Sequence, residues 1–303
     1  MATEAIARPP AFERIPLGQR LAANGLDAVT ALCLPAALFI IALFIYPFFY
    51  GLFLSFEPKK GDWLANYQRF FSDSFFYGTI ATTLWLALPV TIINLVVAVP
   101  VALQVRHMRW QRVLTTILVL PITLGTVLVA EGMLNYLGPQ GWFNRVLMTL
   151  HLVSEPVKLV HNYWGVMLSL VITGFPFTFL LILSYVTGID AVLEQAAATL
   201  GANARRRFWH VLLPLLMPGL AITFCLSFVQ AFSVFPSAVL LGAPAGPTRV
   251  ISIAAYQAAF EEYDYSMASA VAMVMAFVQL AIVVAVLGVR GLFYRGPAAG
   301  AKG

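Results

Sequence analysis

Charged residues are scarce in this chain. Only 10% of its 303 residues are Asp, Glu, Lys or Arg, whereas 61% are hydrophobic, and the mean hydropathy is +0.87. Soluble domains carry roughly a quarter charged residues, so the composition excludes an ordinary soluble domain. The polar intervals are also too short to hold a separate soluble core. We therefore predict an all-α, polytopic membrane protein.

Cysteine and recognisable catalytic motifs are equally scarce. Cys33 and Cys225 both lie in uncharged apolar runs, which argues against a disulfide framework or a metal site. No His, Asp and Glu cluster has metal-ligand spacing, so we expect no metal and no enzyme activity. The phosphate-binding pattern G-x-x-x-x-G-K-[ST] does not occur, and nothing resembles a nucleic-acid-binding module.

Six long apolar runs are each sufficient to cross a bilayer as a helix. They are 28–56, 74–105, 113–137, 163–189, 215–241 and 265–289. The first run is too long for a removable signal peptide and lacks a small-residue cleavage site. Prolines inside several runs predict kinked helices around a polar path. No inverted repeat is visible, which weakens the alternative of an ion-coupled secondary transporter.

The distribution of Lys and Arg predicts the orientation. With the N-terminus inside, the cytoplasmic segments hold twelve of the 18 Lys and Arg residues and the outer loops hold six. This positive-inside bias predicts that both termini are cytoplasmic. Residues 1–27 and 290–303 are then cytoplasmic tails, and 74–289 forms the core with five of the six helices.

The polar segment 190–218 has the pattern of two short amphipathic helices. Helix formers lead into Gly201, which can take the φ > 0 conformation that ends a helix, and a second run is predicted to close at Pro214. Arg205, Arg206 and Arg207 would each cost roughly 2.5–3.5 kcal/mol inside the membrane, so they must face water, headgroups or a partner. The adjacent apolar residues favour docking. The alternative is a solvated loop whose arginines only set the topology.

The spacing within this segment resembles a family signature. Gln195-Ala196-Ala197, three residues, Gly201, nine residues and then Val211-Leu212-Leu213-Pro214 are similar to the E-A-A signature of permease subunits of bacterial ATP-binding-cassette (ABC) importers. The six-span profile agrees with their type I (MetI-like) permease fold. One departure concerns the signature's glutamate, because Gln195 fills its position and the acid lies one place earlier, at Glu194. Gln195 keeps the hydrogen-bonding capacity but loses the charge.

The resemblance implies a division of labour. The segment would form coupling helices that dock into a dimer of ATPase subunits, and those subunits would bind ATP and Mg; this chain would carry no cofactor. A related but different permease chain would complete the path, and a periplasmic binding protein would deliver the substrate to the bacterial inner membrane. The residues expected to couple to the ATPase are Glu194, Gln195, Ala196, Ala197, Gly201, Arg205, Arg206, Phe208, Val211, Leu213 and Pro214.

Other segments bear on the substrate. The loop 138–147, with 154–159 and Pro176-Phe177, is similar to polyamine (spermidine/putrescine) permeases. Thr248, 255–260 and 265–272 are similar to sugar and glycerol-phosphate permeases. The first group matches better, so a polyamine or related small amine is the leading prediction, and a sugar, polyol or glycerol phosphate is the alternative.

Four intramembrane residues are candidates for the substrate path. Glu131 is the one acid in an apolar span and would be a counter-charge for an amine; alternatively it is hydrated near the outer end of its helix. Gln230 is an amide that needs a partner in lipid. Phe228 and Phe232 would offer rings to a cation or a sugar face, although helix packing is the more common role. The outer-loop acids Glu261, Glu262 and Asp264 would attract cations or contact the binding protein, or are simply solvated.

Overall fold

The structure is a computed structural model that describes residues 28–293, with side chains from 32 to 290. The predicted tail 1–27, and the end of the chain after residue 293, lie outside the described residues. The helices are α1 (Ala28–Ile40), α2 (Tyr46–Ser55), α3 (Ala65–Ser72), α4 (Ser74–Val105), α5 (Gln111–Thr123), α6 (Thr126–Leu137), α7 (Trp142–Thr149), α8 (Tyr163–Thr187), α9 (Ala191–Thr199), α10 (Ala204–Arg207), α11 (Leu213–Phe232), α12 (Pro236–Leu240), α13 (Ile251–Tyr256) and α14 (Tyr265–Phe293).

The described chain divides into two units after Phe53. The first unit is helical from Ala28, and α1 continues through a π-helical turn at Ile41–Ile45 into α2. Within that turn, the Tyr46 N–H donates to the Ile41 carbonyl, five residues back. The wider turn precedes Pro47, which has no N–H to donate and whose ring clashes with an α-helical ladder. The helix therefore continues past the proline.

The second unit is built around α4, α8 and α11, which pack against one another. One apolar cluster includes Phe228, Phe232 and Met267. A second cluster joins α4, α8 and α11 through Ala98, Phe179 and further residues. Small residues such as Ala98 allow membrane helices to approach closely, and close van der Waals packing replaces the hydrophobic effect in lipid. This three-helix core positions the features described below.

The apolar runs of the sequence correspond to spans, with one bent pair. Within the described residues, five helices are long and apolar enough to cross a membrane, and the bent pair Gln111–Thr123 and Thr126–Thr149 makes up to six. The two members of that pair meet at 94°. The prediction of one continuous helix over 113–137 is thus corrected. The chain turns at Gly125, whose φ is +77°, a conformation open to glycine.

The fifth span is displaced from its predicted limits of 215–241. The helix that contains this span runs from Ala204 to Phe232, and Pro236 then opens the separate helix α12. The predicted closure at Pro214 is also wrong. A π-helical turn at Phe208–Leu212, in which the Leu213 N–H donates to the Phe208 carbonyl, precedes Pro214 just as in the first unit. The arginine segment and the membrane helix are therefore one continuous helical rod.

Two polar clusters join helix ends within the second unit. The Asn66 Nδ2 donates to the Ser55 carbonyl at 3.0 Å and to the Ser266 hydroxyl at 2.6 Å, and the Ser55 and Tyr67 hydroxyls lie 2.7 Å apart. These bonds join Ser55 to the starts of α3 and α14, all within the second unit.

Arg249 forms the second cluster. Its Nη1 donates to the Phe75 carbonyl at 2.6 Å and its Nε to the Gln257 Oε1 at 2.9 Å, while the guanidinium lies 3.6 Å from the centroid of the Phe75 ring. Burial lowers the pKa of Arg249, and the carboxylates of Asp73, Glu262 and Glu261 oppose that shift. Arg249 therefore joins the loop before α13 to the start of α4.

Candidate functional site

The segment 190–218 forms a compact pair of helices with capped starts. The Asp190 carboxylate accepts from the Val192 N–H at 2.9 Å, and the Asn203 side chain accepts from the Arg206 N–H at 2.9 Å. Each cap satisfies a backbone donor that the first helical turn leaves free. Between the helices, Gly201 has a φ of +81°. The predicted turn at Gly201 is therefore present.

The predicted coupling residues lie mostly on the surface of this pair. Gln195, Ala196, Gly201, Arg205, Arg206 and Pro214 are exposed, and Glu194, Ala197, Phe208, Val211 and Leu213 are half-buried. Two large apolar side chains lie beside them, Leu200 at 88% exposure and Trp209 at 55%. An apolar surface next to exposed arginines, outside the hydrocarbon, is typical of a protein-binding site.

Glu194 faces the helix bundle and forms an ion pair. Its Oε1 accepts from the Nη2 of Arg106, which follows the last residue of α4. The two side chains are only 17% and 8% exposed. The acid that lies one place before the signature's glutamate position is therefore bound within the chain. Sequence reasoning did not find Arg106, which has no motif of its own.

A cavity of about 280 Å³ lies at the meeting of α4, α8 and α11. Its polar lining comprises Asn94, Thr126, Thr173, Thr178, Ser227, Gln230, Ser233 and Ser237. None of its lining residues carries a formal charge. Asn94 is eleven residues before the end of α4, about 16 Å along a helix with a rise of 1.5 Å per residue. The cavity is thus at membrane depth.

Asn94 is a buried polar residue of this cavity whose side-chain oxygen is unpaired among the described residues. It is 2% exposed, and among the described residues its Oδ1 has no hydrogen-bond partner. Gly174 of α8 makes room for the amide, since a Cβ there would lie 2.7 Å from the Asn94 Nδ2. Buried polar atoms are nearly always paired, so the Asn94 Oδ1 is available to accept a hydrogen bond from a bound molecule. The signal in the sequence is an amide within the long uncharged run of α4.

The structure brings only one of the four predicted path residues to the cavity. Gln230 lines it, together with Phe235. Phe228 and Phe232 are fully buried in the apolar core, which is the packing alternative. Glu131 is exposed on α6, and its carboxylate accepts from the Asn135 Nδ2 at 3.4 Å. The roles of these four residues in transport stay predictions.

No group of three His, Cys, Asp or Glu side chains that could hold a metal ion occurs between residues 32 and 290, where side chains are described.

The comparison with known families decides the identity. The family described as "Binding-protein-dependent transport system inner membrane component" matches residues 61–296. The chain belongs to this family. It is a permease subunit of the type I ABC importer class, as the spacing from Gln195 to Pro214 predicted, and a multi-pass membrane protein. Membership of this family rules out the alternative of an ion-coupled secondary transporter.

Individual members of the family resemble this permease to different extents. The spermidine/putrescine transport system permease protein PotB of Haemophilus influenzae is 31% identical over 185 residues, which cover 59% of this chain and 63% of that protein. A probable sulfate transport system permease protein, cysT of Marchantia polymorpha, is 29% identical over 250 residues, covering 81% and 82% of the two chains.

A solved structure extends the likeness to the fold. A chain of a bacterial ABC transporter for the import of the acidic polysaccharide alginate superposes with a TM-score of 0.76 at 22% identity, covering 91% of this permease and 99% of that chain. The alignment with PotB spans less than two thirds of that relative's length. Family and fold are thus shared with transporters of different substrates.

Proposed function

We propose that this permease forms half of the translocation path of an ATP-driven importer and couples to a separate ATPase through residues 193–214. The observation that carries the proposal is the exposed apolar and basic surface of residues 191–212, centred on Leu200 and Trp209. ATP and Mg would bind to the partner ATPase dimer. A second, related permease chain and a periplasmic binding protein would complete the importer, with both termini of this chain in the cytoplasm.

Continuity of the helix supports the mechanical part of the proposal. Arg205 and Ser227 belong to one helical rod, Ala204–Phe232, and Ser227 lines the cavity. A displacement of the docked end would therefore move the cavity wall directly. Such a rigid element can shift a bistable helix bundle between inward- and outward-facing states.

The docking surface can be tested with two tryptophans. Trp209→Ser removes an anchor from the proposed surface, whereas Trp142→Ser is the matched control because Trp142 is 64% exposed on the opposite, outer side in our topology. We expect Trp209→Ser to abolish co-purification of the ATPase and Trp142→Ser to retain it. Equal retention of the ATPase by both variants would reject this surface as the docking site.

For the substrate, we infer a polyamine or a related small amine. The support is the similarity to PotB, whose name specifies spermidine and putrescine, and the chemistry of the cavity. Neutral oxygen acceptors and the aromatic ring of Phe235 suit a protonated amine, which donates hydrogen bonds and is attracted to a ring face. A sugar or polyol is the second candidate, because the same hydroxyl and amide groups would bind its hydroxyls.

Uptake by the complete importer in proteoliposomes distinguishes these substrates. We expect ATP-dependent uptake of labelled spermidine or putrescine, and little uptake of sorbitol, glycerol 3-phosphate or sulfate. Asn94→Leu should raise the KM for the amine about tenfold, as expected when a buried hydrogen-bonding partner is lost. Thr91→Val is the control, because the Thr91 hydroxyl bonds only the Ala87 carbonyl of its own helix. Selective uptake of sorbitol or sulfate would replace the amine assignment.

A further inference from the structure

The ion pair between Arg106 and Glu194 joins two cytoplasmic segments that are distant in the chain. The residues are 88 positions apart, and both side chains are less than a fifth exposed. A second ion pair, Arg69–Glu262 at the outer face, is about half exposed on both sides. Exposed pairs contribute little, whereas a shielded, charge-assisted contact is stronger and more directional. The Arg106–Glu194 contact is therefore a stronger and more directional connection than the exposed Arg69–Glu262 pair.

The register of α9 explains why the acid faces inward. Successive residues of an α-helix differ by about 100° around the axis, so Glu194 and Gln195 point in different directions. Gln195 is exposed, while Glu194 is half-buried against Arg106. An acid at position 195 would face outward, where the family signature has its glutamate. The one-residue displacement thus converts an outward charge into an internal contact.

Few other interactions hold α9 to the membrane helices. None of its residues is buried, and it packs mainly on α10 and the π-helical turn that follows. Arg106, by contrast, caps the 32-residue helix α4, which packs against α8 and α11 and carries Asn94 of the cavity. The Nε of Arg106 also donates to the His107 Nε2 at 2.9 Å, which fixes the guanidinium. The ion pair is therefore a direct connection from α9 to α4.

We propose that Arg106 is a positioning residue for energy coupling, which transmits displacements of α9 to α4 through Glu194. Without it, α9 would move only the two helices to which it is joined along the chain, α8 and α11. With it, α4 moves as well, and all three walls of the cavity respond together. This inference rests on the proposed function, since it assumes that an ATPase moves α9.

The test uses the complete importer in proteoliposomes and measures ATP hydrolysis and solute uptake in the same vesicles. We expect Arg106→Gln and Glu194→Gln each to lower uptake per ATP hydrolysed about tenfold, within the usual range of coupling between sites. The charge-exchanged double variant, Arg106→Glu with Glu194→Arg, should recover most of the loss. Arg109→Gln is the matched control, because Arg109 is exposed in the same loop and should retain the wild-type ratio.

Three results would overturn the inference. They are an unchanged uptake-to-hydrolysis ratio in both single variants, a loss that charge exchange fails to restore, and loss of the ATPase during purification, which would indicate assembly instead of transmission. If Arg106→Gln does not fold, Arg106→Lys takes its place in the test. We expect its ratio of uptake to ATP hydrolysis to lie between those of the wild type and Glu194→Gln, because lysine keeps the charge but not the planar fork of arginine. Wild-type vesicles without ATP-dependent uptake would reject the proposed function itself, and the inference with it.

Discussion

The Ser227 hydroxyl of α11 and the Thr178 hydroxyl of α8 share a hydrogen bond. The oxygens lie 2.8 Å apart, and Thr178 uses its own proton on the Gly174 carbonyl at 3.1 Å, which leaves its oxygen to accept. Both residues are buried, and both line the cavity. The bond thus joins two walls of the cavity, α8 and α11, at membrane depth.

This geometry predicts unequal costs for the two deletions. Thr178→Val leaves the Ser227 hydroxyl without its acceptor, whereas Ser227→Ala leaves Thr178 donating to Gly174. We expect Thr178→Val to be the more destabilising change and the pair to couple by about 0.6–1.7 kcal/mol, as membrane hydrogen bonds do. A double-mutant cycle of the free energy of unfolding in detergent measures both quantities. Strictly additive effects would contradict the bond.

Gly219 of α11 is predicted to be intolerant of a side chain. A Cβ there would lie 2.5 Å from Cγ of the Tyr185 ring, so Gly219→Ala should cost about 1–3 kcal/mol through overpacking and lower the melting temperature. Gly288 of α14 is the control, because a Cβ there meets nothing within 4 Å, and Gly288→Ala should be neutral or stabilising by up to about 1 kcal/mol. Equal melting temperatures for the two variants would argue against this helix contact.

Arg249 should contribute strongly to the stability of the loop before α13. Arg249→Met removes two hydrogen bonds and the contact with the Phe75 ring, a loss of about 2–4 kcal/mol. Arg249→Lys keeps the charge but cannot make both hydrogen bonds in the same plane. We therefore expect its melting temperature to lie only slightly above that of Arg249→Met and well below that of the wild type. Thermal unfolding in detergent provides the measurement. Arg145→Met, at an exposed position, should leave the melting temperature unchanged.

Glu131 tests the electrostatic part of the substrate prediction. If its carboxylate attracts an amine on the path, Glu131→Gln should lower amine uptake while expression stays unchanged, because a cation loses its counter-charge. Glu155→Gln, in an exposed loop, is the control for a general loss of negative charge. Undiminished uptake by Glu131→Gln would remove Glu131 from the path and leave the neutral cavity groups as the remaining candidates.

The amino-acid sequence by itself determined the membrane class, most of the spans and the turn at Gly201 within segment 190–218. These are local properties, since hydropathy depends on consecutive residues and the signature depends on spacing within about twenty residues. The predicted helix end at Pro214 was wrong because a π-helical turn precedes this proline and accommodates its missing N–H donor. The prediction of a continuous span over 113–137 was wrong at Gly125, where the chain turns.

Only the tertiary structure decided which polar and charged groups meet. Glu194 finds Arg106 at a separation of 88 residues, Asn94 meets Gly174 across two helices, and Phe228 with Phe232 belongs to the core instead of the cavity lining. A helix segment shows which residues share its face, but the packing of distant helices determines what that face contacts. The sequence therefore located the segment proposed to couple to an ATPase, and the packing showed that its displaced acid, Glu194, is bound within the chain.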